Sequence, residues 1–386
     1  MVPGTKTKRK EYDMENRTMK AKITAEIVDK FDFAGEFIYI EPLGQGHINS
    51  TYAVYFRRET EPPIRYVLQR INTSILKDPL ALMKNIEGVT NHLRKKIIEA
   101  GGNPERETLT IVKTKDGKLF YEDTDKECWR AYLFIEDATC YQSAEKPGLF
   151  YNSAKAFGRF QKLLSDYPAE TLSETIEKFH NTANRYKNFE IAVAEDKMGR
   201  VKDVLKEIEF VKSRKDDCSI VVDLIEKKEI PLRVTHNDTK LNNIMMDNET
   251  NEGICVIDLD TVMPGSVFYD FGDSIRFGAS SAAEDETDLS KVYMDINLFE
   301  EYTDGFLSEA GETLTKKEYE LLAFSAKLLT LECGIRFLTD YLEGDTYFKI
   351  HREHHNLDRA RTQFKLVADM EEKMDMMNEI VRSHCK

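Results

Sequence analysis

At 386 residues the chain is longer than a single hydrophobic core usually sustains, so two compact units are expected. Its 55 Lys and Arg against 69 Asp and Glu give a formal charge of −14 with no basic stripe, which argues against a nucleic-acid partner. Apolar residues make up 41% of the chain, and no stretch approaches the roughly 18 uninterrupted apolar residues of a membrane span. No apolar leader follows Met1, so a cytoplasmic protein is expected. Cysteines at 128, 140, 218, 255, 333 and 385 form no C-x-x-C pair, which fits reduced thiols better than a zinc or disulfide framework.

Residues 1–20 read as a polar tail, and the pattern over 21–33 predicts a short amphipathic helix. Strands follow at 37–43, 51–56 and 66–71, with Gly44-Gln-Gly46-His47-Ile-Asn49 at the first bend and Glu61-Pro-Pro63 at the second. Asp78-Pro79 supplies an N-cap and a proline at the first helical position. Leu82, Ile86, Val89, Leu93 and Ile97 then recur at helical spacing. Strands are expected at 109–113 and 119–122 around the Asp116-Gly117 turn, and again at 129–135. From Gly148 onward helical patterns dominate, apart from a strand-rich patch between Leu232 and Ile257. The expected class is α+β. A small antiparallel sheet unit over 21–135 precedes a larger, mainly helical unit over 136–386.

The chemistry concentrates in the run His236-Asn-Asp238-Thr-Lys240-Leu-Asn-Asn243, followed by Cys255-Val-Ile-Asp258-Leu-Asp260. Phosphoryl transfer needs a carboxylate to orient the attacking hydroxyl, a cation beside the moving group, and oxygen ligands that hold Mg²⁺ against the phosphates. Asp238 fits the base, Lys240 the cation, and Asn243 with Asp258 the metal ligands. Asp and Asn in turns often only cap their own backbone, so the weight lies on the whole constellation and its order behind a glycine loop. Gly44, Gly46 and Asn49 suit contacts to a triphosphate, although a plain hairpin bend reads the same way. Asp260 would point to the same side as Asp258 if the segment between them stayed extended. Arg336 lies between Glu332 and Asp340, and on spacing alone an ordinary i,i+4 ion pair accounts for it. The histidines 351, 354 and 355 lack a fourth ligand, and Met370–Met377 reads as the end of a C-terminal helix.

The run from His236 to Phe271-Gly-Asp-Ser-Ile-Arg-Phe277 resembles the aminoglycoside phosphotransferase and choline kinase superfamily, and within it the bacterial N-acetylhexosamine 1-kinases. Gly44–Asn49, Leu68-Gln-Arg-Ile-Asn72, Trp129-Arg-x-Tyr-x-Phe-Ile135 and Cys333-Gly-Ile-Arg-Phe-Leu338 are similar to segments of that subgroup. The resemblance implies a bilobal protein-kinase-like fold and transfer of the γ-phosphate of ATP, with Mg²⁺, to the anomeric hydroxyl of GlcNAc or GalNAc. It gives Arg70 the place of the small-lobe lysine of protein kinases, where a surface arginine would look identical, and leaves Glu87 as an uncertain acid partner. It assigns adenine to the backbone around Phe134, Ile135 and Glu136, and the sugar to His47, Asp260, Phe277 and Arg336. A monomer or weak homodimer with small-molecule substrates is expected. N-acetylmuramate, choline, homoserine and aminoglycosides stay open as acceptors, as does a non-catalytic nucleotide-binding regulator.

Overall fold

The computed structural model describes residues 26–43, 49–144 and 146–384. The chain divides into two compact units. One comprises residues 1–91 and 103–136, the other residues 92–102 and 137–386. No described helix is long and apolar enough to cross a membrane.

In the first unit β1 (Glu36–Pro42), β2 (Ser50–Arg57) and β3 (Ile64–Ile71) form the expected antiparallel meander, and β6 (Cys128–Leu133) joins it beside β3. Between them β4 (Ile111–Val112) and β5 (Tyr121–Glu122) each pair with only two residues of β6. The strands expected at 109–113 and 119–122 are therefore much shorter. The cause is the turn at Asp116-Gly117, where Thr114 closes on Lys118 through its N–H (2.9 Å) and its hydroxyl (2.8 Å), taking bonds a ladder would need. The helix expected over 21–33 also changes course. Its described part ends at Val28, and Phe31 bridges to Thr114 because Lys30, Asp32, Lys113 and Lys115 exchange backbone bonds. Phe31 and Phe33 thereby join Phe56 and Tyr66 in the core of this unit.

Helix α1 (Pro79–Glu99) starts as the sequence indicates, with Asp78 accepting from the Ala81 N–H at 3.0 Å. Leu82, Ile86, Val89, Leu93 and Ile97 are all buried, one stripe of a 3.6-residue period.

The second unit contains α2 (Leu149–Leu163), α3 (Thr182–Glu195), α4 (Leu205–Lys212), α5 (Ile220–Glu226), α6 (Val267–Gly278), α7 (Ile296–Ala310), α8 (Lys316–Glu343) and α9 (His355–Ser383). Its strands are short. A hairpin of β9 (Ile244–Asp247) and β10 (Gly253–Val256) extends to β7 (Ala138–Thr139), and β8 (Arg233–Thr235) pairs with β11 (Met263–Gly265). The core lies among α3, α4, α8 and α9 around Phe189, Leu331, Ile335, Leu338, Phe364 and Val367. Helix α6 runs against α8 so closely that a methyl at Gly272 would fall 2.5 Å from the Ser325 carbonyl oxygen. Met370 and Met377 are buried on α9, as a packed C-terminal helix requires.

One buried ion pair ties β8, the strand leading into the acidic loop, to α8. Arg233 donates to both carboxylate oxygens of Glu318, at 2.6 and 2.8 Å, and to the Thr313 carbonyl at 2.7 Å. Glu318 also accepts from the Thr315 N–H at 2.8 Å as part of a capping box. Arg233→Met, which strands the Glu318 carboxylate, should cost about 3–5 kcal/mol of unfolding free energy, and the double change Arg233→Met with Glu318→Leu should recover most of it. Urea unfolding of the three proteins checks this; equal stability of the two variants would show that the stranded charge is not what destabilises.

Candidate functional site

In the second unit the chain leaves β8 and enters a loop whose backbone is held by one carboxylate. Asp270 on α6 is fully buried, and its oxygens accept from the N–H groups of His236 (3.0 Å) and Asn237 (2.8 Å) and from Gln161 of α2 (2.6 Å). Burial pushes the Asp270 carboxyl up, against the pull of those donors. Asn237 has φ +66°, a left-handed conformation that Asn tolerates, and its amide donates to the Thr261 carbonyl at 2.7 Å. Thr239 completes the clamp by donating its hydroxyl to the Asp270 carbonyl (2.6 Å) and its N–H to Asp273 (3.1 Å).

Asp238 emerges half-buried from this clamp. Its carboxylate meets Lys240 Nζ at 2.6 Å and the Asn243 amide at 3.2 Å, and the same amide donates to the Asp238 carbonyl at 2.8 Å. Burial works to lower the Lys240 ammonium, but Asp238 and Asp273 outweigh it and hold it above its ordinary value. Because Asn243 turns its NH₂ toward Asp238, its oxygen is directed elsewhere. The hairpin brings the next acid round: Ile257 N–H donates to the Asn243 carbonyl at 2.8 Å, and His236 Nε2 donates to the Ile257 carbonyl at 2.8 Å. Asp258 follows at φ +58°, exposed.

That left-handed turn corrects the extended geometry expected between Asp258 and Asp260. The segment coils into a 3₁₀ turn over Leu259–Thr261, so Asp260 is buried where Asp258 is exposed. An amide oxygen and a carboxylate, both hard donors, fit a divalent cation that keeps waters and phosphate oxygens as its other ligands. Among the described residues no cluster of three His, Cys, Asp or Glu competes as a metal site. His355 instead binds Asp285 at 2.9 Å and accepts from the His351 N–H at 3.2 Å.

Several partners that sequence spacing does not expose surround this loop. Asp273 and Arg276, on the stretch that carried the family resemblance, form a buried pair at 2.9 Å, and Arg276 also reaches Glu284 at 3.0 Å. Burial alone would raise Asp273, but Arg276, Lys240 and His180 hold its carboxyl low. Phe277, next on α6, is 37% exposed. His180 binds Glu332 of α8 through Nδ1 at 2.7 Å and the Asn237 carbonyl through Nε2 at 3.1 Å. A carboxylate and a carbonyl only accept, so both ring nitrogens carry protons and His180 is an imidazolium. Burial opposes that charge, but Glu332 outweighs it and raises the histidine; Glu332 in turn is held low despite its own burial.

Arg336 makes neither of its expected helical ion pairs. Glu332 is spent on His180 and on the Thr182 hydroxyl at 2.6 Å. Asp340 accepts from the N–H groups of Thr346, Tyr347 and Phe348 and from Asn356, all within 2.9 Å. The guanidinium is instead framed by the rings of Phe348 (5.3 Å), Phe179 (5.7 Å) and Tyr347 (5.9 Å).

In the first unit Gly44, Gly46 and His47 lie outside the described residues. Asn49 accepts from the Asn72 N–H at 3.0 Å, which ties the end of the loop to the end of β3. Arg70 is exposed, with Glu127 at 3.5 Å and Ser50 at 3.4 Å, while Glu87 pairs with Lys113 at 2.7 Å. The acid facing Arg70 is therefore Glu127. Phe134 stacks on Arg65 at 3.8 Å, Ile135 is buried, and the Glu136 carboxylate and carbonyl are taken by Arg65 and Arg106 respectively.

A sequence profile described as the phosphotransferase enzyme family matches residues 40–291, about two thirds of the chain and all of the loop just described. The chain belongs to that family. Solved structures similar to this phosphotransferase include a microcompartment-associated aminopropanol kinase, at 14% identity and TM-score 0.57 over 93% of this chain and 98% of that one. An aminoglycoside phosphotransferase from Alicyclobacillus acidocaldarius matches at 11% identity and TM-score 0.57, covering 93% and 95%. An amicoumacin kinase, solved with AMP-PNP, Ca²⁺ and Ami, matches at 14% and 0.55, covering 94% and 96%. At such identities these establish the fold, an antiparallel sheet region with a helical region of the protein-kinase-like type. By that family the protein is a phosphotransferase.

The His180 imidazolium carries a pH signature. Its folded value is raised above the ordinary value of about 6.5, so its contribution to stability is complete below that pH and fades as pH rises through the folded value. Urea unfolding of wild type and His180→Gln should show the largest gap near pH 6 and a shrinking one toward alkaline pH. Parallel curves would mean that the histidine is neutral in the folded protein.

Proposed function

We propose that this kinase transfers the γ-phosphoryl group of ATP, with Mg²⁺, to the anomeric hydroxyl of an N-acetylhexosamine, giving the sugar 1-phosphate. The observation that carries the kinase chemistry is the Asp238 carboxylate, half-exposed on a backbone that buried Asp270 immobilises, with a lysine and an amide at hydrogen-bond range. Asp238 accepts the proton of the attacking hydroxyl, and Lys240 turns from Asp238 to the phosphoryl oxygens as negative charge gathers there. Asn243 and Asp258 hold Mg²⁺, which neutralises charge on the phosphates when bound. Asn49 and Arg70, with Gly44 and Gly46, contact the triphosphate, and the backbone near Phe134–Glu136 meets adenine.

The sugar reading draws its support from Arg336. A guanidinium framed by three aromatic rings and released from both helical acids offers hydrogen-bond donors beside apolar faces, the combination a pyranose uses. An amino alcohol or aminoglycoside would bring a like charge to that place. Asp260 and Phe277 are assigned to the same acceptor. ADP release with Mg·ATP against free sugars, choline, homoserine and kanamycin tests the reading, with GlcNAc blocked at its anomeric oxygen as control. Turnover of choline or kanamycin and not of GlcNAc would overturn it.

Asp238→Asn should leave ATP binding nearly intact and lower turnover by about 10²- to 10⁴-fold in single-turnover assays; a change of only a few-fold removes Asp238 as the base. Asp258→Ala should abolish activity and weaken nucleotide binding mainly when Mg²⁺ is present, which equilibrium titration with and without the metal reads directly. Arg336→Met should raise the KM for sugar strongly with little change for ATP, and an unchanged sugar KM would return Arg336 to a purely structural role.

A further inference from the structure

Arg336 is not the only guanidinium in its neighbourhood without an acid. Arg185 stands on α3, which packs against α8, and donates from Nη2 to the Phe179 carbonyl at 2.8 Å. Its Nε is shielded from solvent and has no hydrogen-bond partner. The same Phe179 presents its ring to Arg336, so the two guanidiniums converge on one residue from two helices. Among the described residues neither has a carboxylate within ion-pair distance. Burial and the Arg336 charge both pull the Arg185 guanidinium below its ordinary value, and Glu332 offsets them only in part.

The local charge count explains why this is unusual. The carboxylate that Arg185 and Arg336 have near them in common is Glu332, whose oxygens are engaged by His180 and Thr182. A net positive cluster with a dry, unused N–H is held in place within a chain of net charge −14. Such a cluster is costly to maintain without a counter-charge, because guanidiniums are normally satisfied by carboxylate or phosphate oxygens. Both arginines are half-buried, and Tyr347, beside Arg336, is 67% exposed.

We propose that Arg185 and Arg336 form an oxyanion subsite for the acceptor, so that the preferred substrate is an acidic N-acetylhexosamine, bearing a carboxylate or a phosphate, over a neutral one. This rests on the sugar-kinase reading for the identity of the acceptor, but not for the existence of the subsite. The oxyanion supplies the counter-charge that both guanidiniums lack, while the aromatic frame contacts the sugar ring.

The test has two arms. In the first, kcat/KM is measured for GlcNAc, GlcNAc 6-phosphate and N-acetylmuramic acid with wild type, Arg185→Gln and Arg185→Lys. One of the two acids should exceed GlcNAc by about 10- to 100-fold, the worth of charge-assisted hydrogen bonds. Arg185→Gln should erase that preference, while Arg185→Lys, which keeps the charge, should retain part of it. The second arm needs no sugar: thermal unfolding in low-millimolar sodium sulfate against chloride at equal ionic strength, for the same three proteins. Sulfate should raise the wild-type midpoint more than that of Arg185→Gln. Equal kcat/KM for acidic and neutral sugars, unchanged in ratio by Arg185→Gln, overturns the subsite. If no sugar is phosphorylated but the sulfate effect depends on Arg185, the hexosamine reading fails and the oxyanion subsite stands. If no sugar is phosphorylated and sulfate acts alike on all three proteins, both fall.

Discussion

The bond on which the rest of the site depends is the one between buried Asp270 and two successive backbone N–H groups, those of His236 and Asn237. A carboxylate removed from water is tolerable only where donors replace its hydration, and here three N–H groups from two other elements do so. The loop thereby inherits the position of α6, and α6 inherits that of α8 through the close backbone approach at Gly272. The Asp238 carboxylate is thus held through a chain of packed elements and does not rely on its own loop for rigidity. A group that must act in one geometry gains most from this kind of support, since no reorganisation is needed when charge develops.

The buried acids of α6 and α8 are committed to definite partners. Asp273 neutralises Arg276, Glu332 holds His180, and Asp340 gathers three N–H groups of the segment after α8. That last contact has a second effect: it sets Tyr347 and Phe348 around Arg336. The residue one turn after Arg336 therefore shapes its surroundings without pairing with it. His180 plays a comparable part on the other side, since it binds Glu332 and the carbonyl of the residue just before Asp238. A helix that looks in sequence like an alternating ion-pair face commits Glu332 and Asp340 to partners off the helix.

This division also marks what could be read from the sequence. The meander, the N-cap at Asp78, the buried stripe of α1 and the compact H-x-D-x-K-x-x-N run are local patterns, and local patterns survive folding when packing agrees with them. The reading failed where a partner comes from far along the chain. Glu332 looks available to Arg336 by spacing, yet His180 lies 152 positions away and claims it. Glu87 looks like the acid for Arg70, but Lys113 takes it and Glu127 faces the arginine. Asp270 carries no signal in the loop it holds, because its partners there are backbone groups common to every residue. The only sequence hint was its place just before the Phe271–Phe277 stretch.

The failed expectation about Asp260 points to a physical rule for the loop. An extended path from Asp258 to Asp260 would have aligned the two side chains, but Asp258 adopts the left-handed conformation and sends the next residues into a 3₁₀ turn. Asn237 does the same one residue before Asp238. For most side chains such a backbone costs roughly 1 kcal/mol or more, whereas Asn and Asp tolerate it because a short polar side chain bonds locally. At these two bends the residue type therefore serves the backbone as well as any ligand: Asn237 donates its amide to Thr261, and Asp258 combines an exposed carboxylate with a turn that an ordinary side chain would resist. The Asn and Asp at these bends thus suit the chain reversal that brings the hairpin back beside Asn243. Conformational need alone explains why Asn or Asp occupies such bends; it does not explain Asp238, which sits between them with negative φ and a half-exposed carboxylate. Backbone demand thus leaves that carboxylate unexplained, and it is the one that the proposed proton transfer would use.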